Sequence, residues 1–258
     1  MNRTESGWLY SRQAALLLPT GAVLLLLLLW EGLVALRPDM RLYLPAPTQI
    51  VAAFGQWGDP IAKHSLQTLF TTLVGFVLSV ITGVVLGFLI GFSRLAYVVL
   101  YPLLVGFNTI PKVALVPLLA LWFGIGTIPA ILTAFLLAFF PIAVNVAVGL
   151  ETVEPEMKDV LKSLGATPWE VFLKVGFPHT LPYLFASLKV AISTAFIGSV
   201  ISETVASNGG LGFLIVSASS TFDVPLAYAG LVILAVMGIA LYMLSVAMEK
   251  AMIPWARS

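Results

Sequence analysis

The sequence predicts an all-α, polytopic membrane protein with about six transmembrane helices. Of the 258 residues, 60% are hydrophobic and 10% are charged, whereas a soluble domain has roughly 25% charged residues. Apolar runs of about 20 residues or more, the length needed to cross a bilayer core, recur along the chain. A long polar stretch, residues 151–182, separates the fourth run from the fifth. This order predicts a bundle of membrane spans with one folded loop in water.

Composition also excludes several classes of function. The chain has no cysteine, so disulfides and thiolate metal sites do not arise. The formal net charge is +1 and no basic run exceeds two residues, which gives no reason to expect nucleic acid.

Residues 1–64 are predicted to form an N-terminal tail, the first transmembrane helix and an external linker. The apolar run Ala14–Leu36 is interrupted only by Glu31, which is predicted to be snorkelling or solvated. It ends without the small residues of a cleavage site, so an uncleaved span is expected. The linker, residues 37–64, is predicted to carry a short interfacial helix with Trp57 at headgroup level.

Residues 65–258 are predicted to form a five-helix core that contains the loop 151–182. The second span, Ser65–Ser93, has no charge, and small residues recur in it at every fourth position. This spacing predicts a ridge against which a neighbouring helix packs closely. The ridge consists of Gly75, Ser79, Gly83, Gly87 and Gly91.

The third span, from about Leu95 to Phe123, contains Asn108, Lys112 and two prolines. Prolines leave carbonyls without donors, as at broken helices. A lysine at membrane depth costs about 2.5–3.5 kcal/mol on insertion scales, so it is expected to face protein or a wet cavity. The alternative is that Lys112 snorkels to the outer surface.

The fourth, fifth and sixth spans are predicted at Ile128–Leu150, Tyr183–Ala206 and Val224–Met248. Glu203 falls about 30 Å along the fifth span at 1.5 Å per residue, near its outer boundary. It is therefore either a gate residue or a solvated rim charge. The candidate pathway or gate residues are Asn108, Lys112, Asn145, Ser199, Ser202 and Glu203.

The loop 151–182 is predicted to fold as a helix-turn-helix. Pro155 suits a first helical position and Gly165 a helix end. Met157, Val160, Leu161 and Leu164 form one apolar stripe at helical spacing, which must be buried against a partner or against the bundle itself. Thr167 to Glu170 form a capping box, and Pro178 and Pro182 are expected to end the second helix.

The distribution of basic residues predicts the orientation. More of them fall on the side of the loop than on the opposite side, so both termini and the loop are predicted to be cytoplasmic. Those on the loop side are Arg3, Arg12, Arg94, Lys158, Lys162, Lys174, Lys250 and Arg257, against Arg37, Arg41 and Lys63.

The chain lacks the sequence patterns of an enzyme or of an autonomous pump. It has no Gly-x-x-x-x-Gly-Lys-Ser/Thr phosphate loop, and His64 and His179 lack zinc-helix spacing. No catalytic residue, cofactor or metal site is predicted. Any energy for transport must come from a partner.

The loop resembles the cytoplasmic signature of type I ABC-importer permeases. The matching positions are Asp159, Gly165, Val175 and Phe177-Pro178, while Val160, Leu161 and Phe177 depart from the small and leucine residues of the pattern. The segments Leu44-Pro45-Ala46-Pro47-Thr48 and Pro111-Lys112 through Trp122-Phe123-Gly124 also resemble the nitrate/sulfonate/taurine branch.

This resemblance implies a subunit without bound ATP that grips a separate ATPase. The residues implied in coupling are Glu156, Asp159, Val160, Leu161, Leu164, Gly165, Ala166 and Pro168. The implied partners are two ABC ATPase subunits, a periplasmic or lipid-anchored substrate-binding protein and a second copy of the chain, in a bacterial inner membrane. The implied solutes are sulfonates, nitrate-like oxyanions, aromatic acids and vitamin precursors.

A self-contained secondary carrier is the alternative function. Such carriers commonly have matched halves with broken helices in corresponding places. No repeat of that kind is visible in the sequence.

Overall fold

The computed structural model describes residues 12–257, with side chains described for residues 17–255. All regular secondary structure in this range is helical. The helices are α1 Arg12–Leu36, α2 Pro47–Gln56, α3 Gly58–Phe92, α4 Arg94–Thr109, α5 Val116–Phe123, α6 Thr127–Glu151, α7 Pro155–Ser163, α8 Pro168–Val171, α9 Phe177–Ala206, α10 Leu211–Ser220 and α11 Val224–Met252.

The predicted fold class is confirmed. In residues 12–257, five helical stretches are long and apolar enough to cross a membrane, and they contain α1, α3, α6, α9 and α11. A sixth crossing requires that α4 and the helical segment Lys112–Phe123, which are bent by 78° relative to each other, act together as one span.

The small-residue ridge of α3 packs against α6, as predicted. A Cβ atom added at Gly75 would lie 2.6 Å from the Cβ of Ala134, and one added at Gly87 would lie 2.6 Å from the Cβ of Val146. Gly91 meets Leu150 in the same way. Since contacting residue numbers rise together along both helices, α3 and α6 run parallel.

Parallel helices require the chain between them to return across the membrane. The segment Arg94–Phe123 makes this return: Leu104 of α4 is buried, and the ring centroids of Phe107 and Phe139 are 6.1 Å apart. The predicted single span is therefore one broken span. Pro111 explains the break, because the residue before a proline disfavours helical geometry and Ile110 is extended at φ −68°, ψ 128°.

The remaining long helices alternate in direction. Gly149 of α6 meets Thr180 of α9, whereas Gly198 of α9 meets Thr133 of α6, so the two helices are antiparallel. Gly238 of α11 meets Phe196 of α9, and Glu249 of α11 meets Lys189 of α9, so these two helices are also antiparallel. Residues 152–176 thus lie at one end of the bundle, called here the loop end, and residues 207–210 lie at the opposite end, called the far end.

Two expected boundaries are wrong. Helix α3 begins at Gly58, so the last part of the predicted linker is helical. Pro178 and Pro182 do not end a helix: Pro178 lies in the first turn of α9, where a missing N–H has no cost, and Pro182 lies inside α9. A π-helical turn, Phe172–Gly176, leads from α8 directly into α9.

Glu31 has a structural role in addition to the predicted solvated position. Its carboxylate accepts hydrogen bonds from the backbone N–H of Thr48 at 3.1 Å and from the Thr48 hydroxyl at 2.8 Å. Negative charge is favourable at a helix N-terminus. Glu31 of α1 therefore caps the short helix α2.

Candidate functional site

The helix-turn-helix formed by α7 and α8 has the turn that the sequence predicts. Gly165 adopts φ +83°, a conformation that favours glycine. Its N–H donates to the carbonyl of Lys162 at 2.9 Å, and the N–H of Ala166 donates to the carbonyl of Leu161 at 3.0 Å. These two bonds satisfy the last carbonyls of α7 and end the helix at a defined angle.

The predicted capping box starts α8. The carboxylate of Glu170 accepts from the N–H of Thr167 at 2.8 Å, and the Thr167 hydroxyl accepts from the N–H of Glu170 at 3.3 Å. Pro168 occupies the first helical turn. Local sequence therefore determines both ends of the turn.

The apolar stripe of α7 is not covered by its own bundle. Met157, Val160 and Leu164 are 51%, 60% and 78% exposed, and Leu161 is half-buried. Among the other predicted coupling residues, Ala166 is half-buried, while Glu156, Asp159, Gly165 and Pro168 are exposed. Of the two alternatives left open by the sequence, burial of this stripe by the bundle itself is wrong.

Aromatic contacts hold this exposed element against α3. Phe172 is buried, with ring centroids 5.4 Å from Phe88 and 4.7 Å from Phe92. Trp169 packs on Phe172 at 5.2 Å. These contacts join α8 to the end of α3, and the π-helical turn Phe172–Gly176 joins it to α9.

Glu203 occupies a buried polar cluster at the far end. Its side chain is 1% exposed. Its carboxylate accepts from the hydroxyl of Thr68 at 2.8 Å and from the N–H of Gly212 at 3.1 Å. The hydroxyls of Thr71 and Ser199 lie 3.2 and 3.4 Å away. The alternative of a solvated rim charge is wrong.

The cluster fastens the glycine-rich segment between α9 and α10. Three consecutive backbone N–H groups, those of Gly210, Leu211 and Gly212, donate to His64 Nδ1, Thr68 and Glu203, at 3.0, 2.8 and 3.1 Å. Gly210 adopts φ +92°, and a Cβ atom there would collide with the Glu203 carboxylate. A glycine is required at this position for both reasons.

Sequence reasoning missed Thr68, Thr71 and His64 as members of this cluster. Thr68 and Thr71 are spaced three residues apart on α3, which places them on one helix face. That spacing was the available signal. Ser202, predicted beside Glu203, is buried and its hydroxyl has no hydrogen-bond partner within the described residues.

Lys112 lies about midway along the bundle, at the break between α4 and α5. Phe107, just before the break, contacts Phe139 of α6. Phe139 lies twelve residues after the start of α6, which places the break about 18 Å from the far end. The Lys112 ammonium donates to the backbone carbonyl and side-chain oxygen of Asn108 at 2.9 and 2.7 Å. Because Asn108 precedes it in α4, this side chain points away from the far end, and snorkelling to that surface is excluded.

The side chain of Asn145 is hydrogen-bonded neither to the Glu203 cluster nor to the pair Asn108 and Lys112. Its side-chain amide donates to the carbonyl of Pro141 within α6 at 2.8 Å. Of the six candidate pathway or gate residues, the structure brings Ser199 and Glu203 together, and separately Asn108 and Lys112.

The architecture and these sites define a class of protein: a helical membrane subunit with polar groups inside its bundle and an exposed helix-turn-helix at one end. Residues 79–258 match the model of the family described as "Binding-protein-dependent transport system inner membrane component". The chain belongs to this family and is an ABC-importer permease subunit for small solutes, not an enzyme.

Known relatives agree with this assignment. The formylaminopyrimidine transport permease protein ThiX of Halalkalibacterium halodurans is 32% identical over 93% of this chain and 96% of its own length. The taurine transport system permease protein TauC of Escherichia coli is 28% identical over 98% of this chain and 94% of its own. In fold alone, the chain is also similar to a solved inward-facing structure of the MetNI methionine ABC transporter, with a TM-score of 0.62 at 22% identity over 72% of this chain and 93% of the other.

Proposed function

We propose that two copies of this chain form the translocation pathway of an importer driven by two ATPase subunits, each seated on one helix-turn-helix. The observation that carries this proposal is the exposed stripe of Met157, Val160 and Leu164. Large apolar side chains at such exposure mark an interaction surface when they are contiguous. The fixed turn at Gly165 reduces the conformational entropy that is lost on binding, because the backbone is already ordered.

We propose further that the loop end is cytoplasmic and that both chain termini lie there. The parallel packing of α3 and α6 supports six crossings, because the intervening segment must return. Trp30, near the end of α1, packs on Tyr228 at the start of α11, so both meet at the far end. Helix α1 therefore starts, and α11 finishes, at the loop end. The excess of basic residues there supports a cytoplasmic location.

The pathway is proposed to pass the Glu203 cluster and the contacting pair Asn108 and Lys112. Asn108 is exposed and Lys112 half-buried at a depth where lipid contact is costly. A water-filled pathway closed by the second copy satisfies both groups. The cluster of Glu203, with Ser199 and Thr68, would serve as a gate that holds the segment 207–210 at the external mouth.

The solute is proposed to be a sulfonate, a nitrate-like oxyanion, an aromatic acid or a vitamin precursor, delivered by a binding protein. Names of the relatives support this range: one is a formylaminopyrimidine permease and another a taurine permease. Family membership disfavours the self-contained carrier.

Co-purification with the ATPase subunit tests the docking surface. Leu164→Glu places a charge in the stripe and is expected to abolish association, while membrane insertion and monodispersity are retained. Gly165→Phe is also expected to weaken association, because a side chain at φ +83° strains the turn that positions α7. Lys174→Glu, an exposed change in the same loop, is the control. Undiminished co-purification of both variants, or ATP-independent uptake by the chain alone, would contradict the proposal.

A further inference from the structure

The loop end of α3 is bordered by three neighbouring cavities that differ in character. One, of about 490 Å³, is an apolar groove along the outside of α3, lined by Val85, Phe88, Leu89, Phe92, Ser93 and Trp169. The other two, of about 230 and 270 Å³, lie between α7 and the ends of α3 and α6. Phe92 and Ser93 each line the groove and one of these cavities, so the three spaces adjoin.

Cationic side chains line the two cavities next to α7. Lys158 lines both, and Arg94 lines the second. In the described part of the chain, no carboxylate lies within 4 Å of either cation; Arg94 instead lies over the ring of Tyr97 at 5.8 Å. Lys162 also lines the first cavity, but it is paired with Asp159 at 3.1 Å.

One carboxylate opposes these cations. Glu151 lines the second cavity together with Lys158 and Arg94. Two positive charges and one negative charge leave a net charge of +1 around this space. An anion that reaches the cavity from the groove is therefore favoured over a neutral or zwitterionic group.

We infer that this composite site binds an anionic phospholipid, with the phosphate group near Lys158 and Arg94 and one acyl chain along the groove of α3. The groove extends from Phe92 to Val85, about 10 Å along the helix toward the bilayer centre. Trp169, 62% exposed, lies at its mouth, as tryptophans do at membrane interfaces. Basic pockets at the cytoplasmic membrane surface attract anionic headgroups.

This inference rests on the proposed orientation but not on ATPase docking. Lys158 lines cavities that face the ends of α3 and α6, whereas Met157, Val160 and Leu164 are exposed. A bound lipid would therefore support the helix-turn-helix from its membrane side and leave the stripe free.

Native mass spectrometry of the delipidated full-length chain tests the site. We expect phosphatidylglycerol to be retained several-fold more than phosphatidylcholine with the same acyl chains. Lys158→Gln and Arg94→Gln should each lower that preference, and Glu151→Gln should raise it. Lys174→Gln, an exposed change in the same loop that lines none of the three cavities, should leave it unchanged. Trp169→Ala should weaken both lipids alike.

Several results would overturn the inference. Equal retention of the two lipids shows that charge does not select the occupant. An undiminished preference in both Lys158→Gln and Arg94→Gln places the anionic lipid elsewhere. Displacement by excess glycerol phosphate assigns the cavities to a free anion, because the acyl chain would then contribute nothing. Since the assay contains no ATPase subunit, failure of docking and failure of lipid binding are separable.

Discussion

The carboxylate of Glu203 accepts a hydrogen bond from the backbone N–H of Gly212 at 3.1 Å. This bond joins the end of α9 to the start of α10 across a segment that contains two glycines, Gly209 and Gly210. The same carboxylate reaches Thr68 of α3 at 2.8 Å. One side chain therefore ties three helices together at the far end of the bundle.

Removal of this carboxylate should loosen the far end. Glu203→Ala leaves the hydroxyl of Thr68 and the N–H of Gly212 without their acceptor, at about 1–3 kcal/mol for each buried donor. We expect a lower thermal unfolding midpoint in detergent and faster hydrogen exchange at residues 207–212. Glu203→Gln, which retains an acceptor oxygen, should lose less. Thr204→Ala, at an exposed neighbouring position, is the control; equal protection in Glu203→Ala and this control would refute the prediction.

Two glycine-to-alanine changes should act in opposite directions. Gly87→Ala pushes a methyl group against Val146, with 2.6 Å between Cβ atoms, and overpacking of this kind costs about 1–3 kcal/mol. Gly106→Ala lies inside α4 with nothing within 4 Å and gains up to about 1 kcal/mol of helix propensity. The thermal unfolding midpoints measure both. If Gly87→Ala did not lower the unfolding midpoint, the α3 ridge would tolerate separation from α6, and the prediction would be wrong.

The ion pair between Lys189 of α9 and Glu249 of α11 should contribute to stability. The ammonium and carboxylate groups are 2.8 Å apart, with side chains 25% and 20% exposed. A charge-assisted bond of this kind contributes about 1.5–3 kcal/mol, which partial solvent exposure reduces. A double-mutant cycle of Lys189→Met and Glu249→Gln, followed by urea or thermal unfolding, is expected to give a positive coupling energy. If the two single changes in unfolding free energy were strictly additive, the ion pair would contribute nothing to stability.

Lys112→Met should impair transport but not assembly. Lys112 contacts Asn108 at the break in the third span and makes no ion pair within the described residues. Loss of one charge-assisted contact in the pathway, about 1.5–3 kcal/mol, corresponds to a roughly 10- to 100-fold fall in ATP-dependent uptake. Reconstituted vesicles with the ATPase and binding protein provide the measurement, and Lys112→Arg tests whether positive charge suffices. Wild-type uptake by Lys112→Met would place this lysine outside the pathway.

Local and periodic features of the sequence were predictive. The every-fourth-residue spacing predicted the ridge that packs on α6, and Gly165 and Thr167 predicted the turn because their effects act within a few residues. The helix start at Gly58 was missed because Asp59 and Lys63 are charged like a linker, and the start at Phe177 was missed because a proline in a first turn or inside a helix looks like one that ends a helix. The break at Pro111 was indicated, but its 78° bend depends on packing against α6.

Contacts between residues far apart in the sequence were the main feature that could not be predicted. Thr68 and Glu203 are 135 positions apart, and nothing in their local sequence joins them. Glu203 alone therefore left two interpretations open; its 1% exposure excludes the solvated rim charge, and the gate role stays a prediction. The two cavities near Lys158 are lined by residues from separate segments of the chain and could not be predicted from any one of them.

The length of α9 has a geometric consequence. From Phe177 to Glu203 the helix rises through 26 residues, about 39 Å at 1.5 Å per residue. If it pivots near Phe177, a tilt of about 5° sweeps Glu203 through roughly 3.4 Å, which exceeds the tolerance of a hydrogen bond. A small tilt of α9 at the loop end would therefore be enough to break the hydrogen bonds of Glu203 at the far end.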